Sequence, residues 1–291
     1  MSMKTGLARD LLRPWLTSTI GLVFAVSAFF NHAVAASTET IRSGGTGASI
    51  GLMYLLAESS GINDYNLAME IVPNLGSGGG IRAVTKGIID VSVSTRPLTA
   101  EETARGLTSI LLCRTPFILV TANSNNSALT LKDIADIYNG KLINWSDGER
   151  IRLVLRPKND SDTRLLRGFS PAVRDGLNKM MERDGMVTMI TDQNTADYIE
   201  KIPGALGTSS LSLVLSEKRP LYPIAIDGNQ PDIKSLADGS YPFFKALHLV
   251  FKQNPNNKVS RFIDFIHTTK MQSLLIENGC LPFESPKAAS L

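Results

Sequence analysis

The sequence predicts an α/β fold, in which a mixed, mostly parallel sheet is flanked by helices. Three passages along the chain carry this prediction, because in each a short strand enters a turn of small or polar residues that opens a helix. The three turns are Ser43–Gly47, Gly76–Gly80 and Pro157–Asp162. Strands that alternate with helices in this way favour a parallel-rich sheet with helices on both faces.

The first passage begins with a brief strand over Glu39–Arg42, and the turn Ser43–Gly47 leads into a helix over Ala48–Ser59. Within this helix, leucines recur at the spacing of one face of an amphipathic helix.

The second passage, Met69–Leu98, organises the rest of the chain. Its first strand ends at Val72, the glycine turn follows, and a helix over Ile81–Gly87 leads into a second strand over Ile88–Ser94. The first N–H groups of such a helix lack backbone partners and lie at the positive end of the helix dipole. The turn therefore suits an anion, although a flexible glycine loop without a ligand fits the same residues.

The third passage comes after a long apolar run, Ile110–Thr121. This run contains Pro116, which lacks an N–H group, so we predict two strand segments that meet at a crossover rather than one central strand. A strand over Ile151–Leu155 then precedes the polar turn, and a helix starts at about Thr163. The remaining predicted elements are helices over Leu131–Tyr138, from Pro171, and over Asn194–Ile202, Val259–Ile266 and Lys270–Asn278, and strands over Met186–Ile190, Tyr222–Ile226 and Ala246–Phe251.

The first 36 residues have the pattern of a secretory signal peptide. The positive start contains Lys4, Arg9 and Arg13, and the apolar run Leu16–Phe30 follows it. The small residues Ala33–Ala35 come next. We therefore expect cleavage near Ala35 or Ala36 and an exported, periplasmic protein.

Charge and histidine content exclude two classes of function. The whole sequence has 30 basic and 27 acidic residues, and removing the signal peptide with its three basic residues and one acid leaves 27 and 26, a net charge of +1. Without a basic block, nucleic acid is not an expected partner. His248 and His267 do not have metal-ligand spacing, so neither a metal nor another cofactor is expected.

Cys113 and Cys280 are the two cysteines of the chain. An even number in an exported protein allows a disulfide, and two buried thiols that behave as small apolar residues are the alternative.

Several motifs together resemble one family, the phosphate-binding proteins of ABC transporters. The motifs occur in family order and cover nearly the whole chain after the signal peptide. They are GGTGA at Gly44–Ala48, LGSGGGIRAVTKGIIDVSVSTRPLT at Leu75–Thr99, LKDIADIYNGKLINWSDG at Leu131–Gly148, RPKNDSDT at Arg156–Thr163, PGALGTSSLSLV at Pro203–Val214 and the ending at Phe262–Phe283.

The resemblance implies a two-lobed periplasmic-binding-protein fold with the ligand cleft between the lobes. The expected lobes are residues 37–113 with 246–291, and residues 114–245; the family places both cysteines on the same lobe. The implied function is capture of a small tetrahedral oxyanion, phosphate first, by a monomer that delivers it to an ABC permease in the inner membrane.

The resemblance also implies a set of ligand-binding residues, which are Thr46, Gly47, Ser77, Gly78, Thr95, Arg96, Arg156, Ser161, Asp162 and Thr163. Backbone N–H groups and hydroxyls can replace the hydration shell of an oxyanion, and the guanidinium of Arg156 can add a bidentate charged pair. A surface ion pair is the alternative role for Arg156, and pairing with an acid across the cleft is the alternative for Arg96.

Two positions depart from the family pattern. Thr95 stands where the best-known members carry an aspartate that accepts a proton from phosphate, and Asp162 stands where the family has glycine. A carboxylate in the first turn of a helix caps free N–H groups, which is the role we expect for Asp160. Asp162 is either a second cap or a proton acceptor that favours a protonated oxyanion over sulfate.

The sequence has no Ser-His-Asp arrangement, paired-carboxylate motif or metal cluster that stands out, so an enzyme is not expected. Two alternatives to transport are an oxyanion sensor that reports to a membrane receptor, and an enzyme that acts on phosphate esters.

Overall fold

A computed structural model describes residues 37–125 and 128–283 of the chain. The predicted signal peptide, residues 1–36, lies outside the described residues. The strands are β1 Glu39–Gly45, β2 Leu67–Val72, β3 Val91–Ser94, β4 Leu107–Thr121, β5 Ala128–Leu129, β6 Arg152–Leu155, β7 Val187–Thr188, β8 Ala205–Ser210, β9 Tyr222–Pro223, β10 Ala225–Ile226, β11 Phe244–Lys252 and β12 Leu281–Pro282. The α-helices are α1 Ile50–Glu58, α2 Gly76–Thr85, α3 Ala100–Ala104, α4 Leu131–Tyr138, α5 Ser161–Arg167, α6 Pro171–Met181, α7 Asp192–Lys201, α8 Leu211–Ser216, α9 Ile233–Asp238, α10 Asn257–Ile266 and α11 Thr269–Glu277, and 3-10 helices cover Gly47–Ser49 and Ser60–Tyr65.

The main sheet has the strand order β2-β1-β3-β11-β4-β8-β6-β7, and β12 and β9 pair with β4 from outside this path. Its two ends are parallel, because β1 pairs with β2 and β3, and β6 pairs with β7 and β8. In the middle, β4 and β11 run antiparallel to each other and to their neighbours β8 and β3. The predicted α/β class with a mixed sheet is confirmed.

The buried apolar residues form two main hydrophobic cores. One takes its members from residues 41–113 and 247–280, among them Leu52, Leu249 and Phe262. The other takes its members from residues 117–241, among them Phe117 and Ile134. The chain therefore has two lobes, and β4 runs from one core into the other. Among the described residues, no helix combines the length and the apolar character that a membrane crossing requires.

The apolar run around Pro116 differs from the prediction of two strand segments, because β4 is one continuous strand of 15 residues. Phe117 donates its N–H to the carbonyl of Phe243 on the β11 side, at 3.0 Å. Successive N–H groups of a strand alternate in direction, so position 116 faces the opposite side. There the pairing with β12 ends at Arg114 and the pairing with β8 begins at Phe117. Pro116 thus occupies a position where no sheet bond requires an N–H group.

The glycine turn of the second passage also differs from the prediction, because α2 starts at Gly76 and its first five residues include four glycines. A Cβ on Gly80 would overlap Ser92 Oγ and lie 2.9 Å from the Cα of Gly45. The glycines therefore let the first turns of α2 lie against β1 and β3 at a distance that a larger residue would prevent. What looked like a loop is the closely packed beginning of a helix.

Cys113 of β4 and Cys280, which precedes β12, form a disulfide with 5.7 Å between their Cα atoms and a sequence separation of 167. Both belong to the core of the first lobe, so the bridge fastens the C-terminal part of that lobe to β4 close to the point where β4 leaves it.

Candidate functional site

A cavity of about 380 Å³ lies between the two lobes. Its wall is formed by Thr46, Gly47, Asn74, Leu75, Gly76, Ser77, Gly78, Thr95 and Arg96 from the first lobe, and by Arg156, Asn159, Asp160, Ser161, Arg164, Ile190, Thr191, Asp192 and Gln193 from the second. Four helical segments begin in this wall: the 3-10 helix that precedes α1, and the helices α2, α5 and α7. Helix starts from both lobes therefore lie around one space.

The structure brings eight of the ten predicted site residues into this wall. These are Thr46, Gly47, Ser77, Gly78, Thr95, Arg96, Arg156 and Ser161. Asp162 and Thr163 lie behind the wall and are buried.

The helix starts of the first lobe offer free donors. In the described chain, neither Thr46, before the 3-10 helix, nor Leu75, before α2, makes a side-chain cap to the helix that follows it. By contrast, the carboxylate of Asp160 caps α5 and the hydroxyl of Thr191 caps α7. The donors left open for a ligand are thus concentrated at the first-lobe side, where a helix dipole adds partial positive charge.

The hydroxyl of Ser77 is held in place by Thr95. The Thr95 N–H donates to Ser77 Oγ at 3.0 Å, and the two hydroxyl oxygens are 3.1 Å apart. Ser77 belongs to α2, whereas Thr95 follows β3, so this pair connects two of the segments that line the cavity. A hydroxyl with a fixed position loses little conformational freedom when it binds a ligand.

Arg96 is paired with Glu102, six residues further along the same segment, and not with an acid across the cleft. Its Nη1 and Nη2 donate to the two oxygens of Glu102 at 2.8 and 2.7 Å. Glu102 also closes a capping box with Thr99 at the start of α3. The hydrogen bonds from Arg96 hold the pKa of Glu102 well below its usual range, at about 2. Glu102 is therefore ionised, and its negative charge neutralises the positive charge of Arg96 in the cavity wall.

Arg156 is nearly fully buried and is held by contacts on several sides. Its Nη1 donates to the carbonyl of Met189 at 3.2 Å and to Thr195 Oγ1 at 3.1 Å, and its Nη2 donates to Asp160 Oδ2 at 3.1 Å. Burial would lower the pKa of Arg156, but the carboxylates around it outweigh burial and raise it. The guanidinium therefore stays charged in the wall of the cavity.

Asp162 is neither a cap nor a wall residue. Its Oδ1 lies 2.6 Å from Lys245 Nζ, and its Oδ2 accepts a hydrogen bond from Thr208 at 3.0 Å. The ligand-facing role expected for Asp162 does not fit this placement, because the carboxylate points towards β8 and β11 behind the cavity.

Thr163 is turned away from the cavity as well. Its hydroxyl lies 2.9 Å from the carbonyl of Pro157 and 3.2 Å from that of Arg156. The expected ligand contact is therefore replaced by a structural one, in which Thr163 fastens the loop that carries Arg156.

Three residues that hold this site together, Asp192, Gln193 and Lys245, were not among the predicted site residues. Asp192 and Gln193 line the cavity because α7 begins at Asp192, two residues before the predicted start at Asn194. Thr191 could have indicated this start, because it lies between a strand and a helix and threonine is a preferred N-cap residue. Lys245 is the third, and a single lysine at the start of a strand carries no comparable signal.

Asp192 is coupled to both buried cations. Its Oδ1 accepts from Lys245 Nζ at 3.3 Å, and its Oδ2 lies 3.8 Å from Arg156 Nη2, beyond hydrogen-bond distance. Burial would raise the pKa of Asp192, but the charges of Lys245 and Arg156 outweigh burial and hold the pKa below its usual value. The wall of the cavity thus contains an ionised carboxylate between two cations.

Metal binding has no support in the geometry. Within residues 37–125 and 128–283, no three His, Cys, Asp or Glu side chains are grouped so that they could hold a metal ion.

The fold and this cleft define a class of binding proteins. Residues 31–270 match the PBP superfamily domain, and the chain belongs to this family.

Comparison with individual proteins gives more distant likenesses. The chain is 26% identical over 222 residues to the phosphate-binding protein PstS of Bacillus subtilis (strain 168), an alignment that covers 73% of this chain and 70% of the relative. Its fold is similar to that of a substrate-binding protein from Clostridium perfringens solved with bound phosphate, with a TM-score of 0.68, 23% identity and coverage of 84% and 100% of the two chains. An ABC-type phosphate transport receptor from Vibrio cholerae has a TM-score of 0.57 at 20% identity, with coverage of 83% and 99%.

Proposed function

We propose that this protein captures a small tetrahedral oxyanion, phosphate first, in the cavity between its lobes and delivers it to the permease of an ABC transporter. The observation that carries the proposal is the convergence of helix starts from both lobes on one cavity that also holds the guanidinium of Arg156. The names of the B. subtilis, C. perfringens and V. cholerae proteins, which all refer to phosphate, support the choice of ligand.

The lobes that close on the ligand are residues 37–113 with 246–291, and residues 114–245. The division of the two hydrophobic cores supports these boundaries. Because ligand contacts come from both lobes, the closed cleft is stabilised by the anion.

The ligand-binding residues are the eight that line the cavity. Thr46, Gly47, Ser77 and Gly78 provide neutral donors on one side, and Arg156 provides charge on the other. A hydrogen bond to a charged group contributes roughly 1.5–3 kcal/mol, so several of them offset the dehydration of a small anion without a metal. Thr95, Arg96 and Ser161 complete the wall.

The acidic part of the wall favours an anion that still carries a proton. Asp160 and Asp192 both line the cavity, and a carboxylate can only accept a hydrogen bond at neutral pH. Hydrogen phosphate can donate one, whereas sulfate cannot, so phosphate is the expected ligand of the two.

The protein acts by binding and release, as an exported monomer whose signal peptide is removed near Ala35 or Ala36. We expect no hydrolysis of phosphate esters by the purified protein. Genes for a permease and an ATPase beside this one would favour transport, and a histidine kinase gene would favour sensing.

Calorimetry with phosphate, sulfate and molybdate tests the proposal. The expected result is saturable phosphate binding that is stronger than sulfate binding, and an affinity at least about tenfold weaker in Arg156→Ala. Arg174→Ala is the matched control, because Arg174 is an exposed arginine of the second lobe that pairs only with Asp175 among the described ion pairs. Unchanged phosphate affinity in a folded Arg156→Ala variant would show that the anion binds elsewhere, and absence of binding by any of the three anions would contradict the proposed function.

A further inference from the structure

Five charged side chains form one connected network behind and within the cavity wall. Arg156 contacts Asp160 and Asp192, with Nη2 to oxygen distances of 3.1 and 3.8 Å. Lys245 contacts Asp192 and Asp162, with Nζ to oxygen distances of 3.3 and 2.6 Å. Asp192 therefore joins the two cations into a single cluster.

The charges in this cluster do not balance. It contains two cations and three carboxylates, so it carries one excess negative charge when every member is ionised. The two other arginines of the wall do not balance this charge, since Arg96 is matched by Glu102, and Arg164 is exposed, so that solvent screens it. An anion that enters the cavity adds negative charge next to a cluster that already carries an excess of it.

Burial makes this imbalance significant. The side chains of Lys245 and Asp162 have 0% and 1% of their surface exposed, so water cannot screen the excess charge there. Charges in such surroundings interact far more strongly than charges at the surface. A proton is the smallest species that can restore the balance without moving the lobes.

We propose that the cluster takes up one proton when the anion binds, and that Asp162, held by Lys245, is the carboxylate that receives it. This inference rests on the proposed function, because it assumes that the cavity binds an oxyanion. Asp162 is then a positioning residue that adjusts the charge of the site without touching the ligand.

The contacts of Asp162 single it out from the other two carboxylates. Asp160 accepts bonds from Arg156 and from the N–H of Asp162, and Asp192 lies near both cations. Asp162 contacts one cation, Lys245, and is the most deeply buried of the three, with 1% of its side chain exposed against 20% for Asp160 and 10% for Asp192.

A proton on Asp162 also fits the geometry. It would sit on Oδ2, where Thr208 Oγ1 lies 3.0 Å away and can change from donor to acceptor. Its Oδ1 would keep the bond from Lys245. The proton comes from solvent, and no covalent bond of the ligand changes.

The surroundings of Asp162 raise its pKa, as uptake of a proton requires. Burial raises the pKa of Asp162, Lys245 and Arg156 oppose the rise, and Asp192 and Asp160 add to it. A bound anion would add a further negative charge on the same side and strengthen the rise.

Calorimetry of phosphate binding in two buffers with different heats of ionisation counts the protons exchanged. At about pH 8.5 inorganic phosphate is largely doubly charged, so a proton that enters the complex must be taken up from the buffer. We expect wild type to take up about one proton more per phosphate than Asp162→Asn. The wild-type affinity should also fall about tenfold per pH unit relative to the variant as pH rises further.

Asp175→Asn is the matched control, because Asp175 is an exposed carboxylate of the second lobe, and it should take up as many protons as wild type. Equal proton uptake in wild type and Asp162→Asn would overturn the inference and place the proton on the ligand or on Asp192. Failure of wild type to bind phosphate at about pH 6 and at about pH 8.5 would instead contradict the proposed function.

An infrared difference spectrum of wild type with and without phosphate gives a second test that does not depend on a variant. The band of a protonated carboxylic acid should grow on binding. If Asp162→Asn does not fold, absence of this band in wild type is the result that overturns the inference.

Discussion

Gln193 donates a hydrogen bond from Nε2 to the carbonyl oxygen of Gly47, across the cavity, at 3.0 Å. Gln193 belongs to the start of α7 in the second lobe and is held by a second bond to Glu217 at 2.8 Å. Gly47 opens the 3-10 helix of the first lobe. The pair therefore joins the two lobes directly beside the site at which we propose the anion binds.

The close approach of the lobes predicts that Gly47→Ala weakens phosphate binding. A Cβ on Gly47 would lie 2.8 Å from the Cβ of Asp192, besides 2.5 Å from Asp192 Oδ2 and 2.7 Å from Gln193 Oε1. The side-chain oxygens can turn aside, but the Cβ of Asp192 is fixed to the backbone, so the start of α7 has to shift before the lobes can come together. Crowding of this kind costs about 1–3 kcal/mol, which corresponds to an affinity roughly 5- to 150-fold weaker by calorimetry. Gly61→Ala is the control, because its Cβ would meet its first neighbour at an ordinary 3.5 Å. Wild-type affinity in Gly47→Ala would mean that the lobes need not approach this closely.

Ser77→Ala should weaken phosphate binding about 10- to 100-fold, because it removes a hydroxyl that Thr95 holds in the cavity wall. The melting temperature should change little, since the serine is only partly buried. Titration with phosphate measures the affinity, and Ser146→Ala, at an exposed serine of the second lobe, is the control. If both variants bind like wild type, Ser77 is not a ligand residue.

The disulfide predicts a large stability difference between oxidised and reduced protein. Cys113 and Cys280 are separated by 167 residues, and closing so long a loop stabilises the folded state by about 3–5 kcal/mol in the entropic description. The double variant Cys113→Ser, Cys280→Ser should therefore unfold at a clearly lower urea concentration than wild type. A reducing agent should destabilise wild type by a similar amount and leave the double variant unchanged. Equal stability with and without the reducing agent would indicate that the bond contributes nothing.

The Arg96–Glu102 pair predicts a specific acid response. The pKa of Glu102 falls from its usual 4.5 to about 2 through the hydrogen bonds of Arg96. A depressed pKa means that the pair stabilises the folded protein above about pH 4.5 and that this contribution is lost as pH falls towards 2. The difference in melting temperature between wild type and Glu102→Gln should be constant at neutral pH and should shrink towards zero across this window. A difference that does not change with pH would show that Glu102 acts through its shape and not its charge.

The site residues that the sequence predicted correctly are those whose signal comes from neighbouring residues in the chain. Thr46, Ser77 and Arg156 each lie in a passage from strand to turn to helix, and such a passage can be recognised from residues close together in the chain. The same signal exists at Thr191, but the helix boundary was set two residues late, which hid Asp192. Boundaries are the least certain part of such predictions.

The parts that could not be predicted depend on distant contacts. Asp162 points away from the cavity because Lys245, which follows it by more than 80 residues in the sequence, supplies its countercharge. Pro116 is tolerated within β4 because β12 and β8 leave a gap beside it. Neither fact can be recognised in the residues on either side.

A crystal structure of the protein grown with phosphate tests the central claim most directly. The account predicts a tetrahedral anion in the cavity between the lobes, within hydrogen-bond distance of Ser77 Oγ and of the Arg156 guanidinium, with the Gln193–Gly47 bond intact beside it. A phosphate bound at another place on the protein, or an empty cavity at a saturating phosphate concentration, would contradict it.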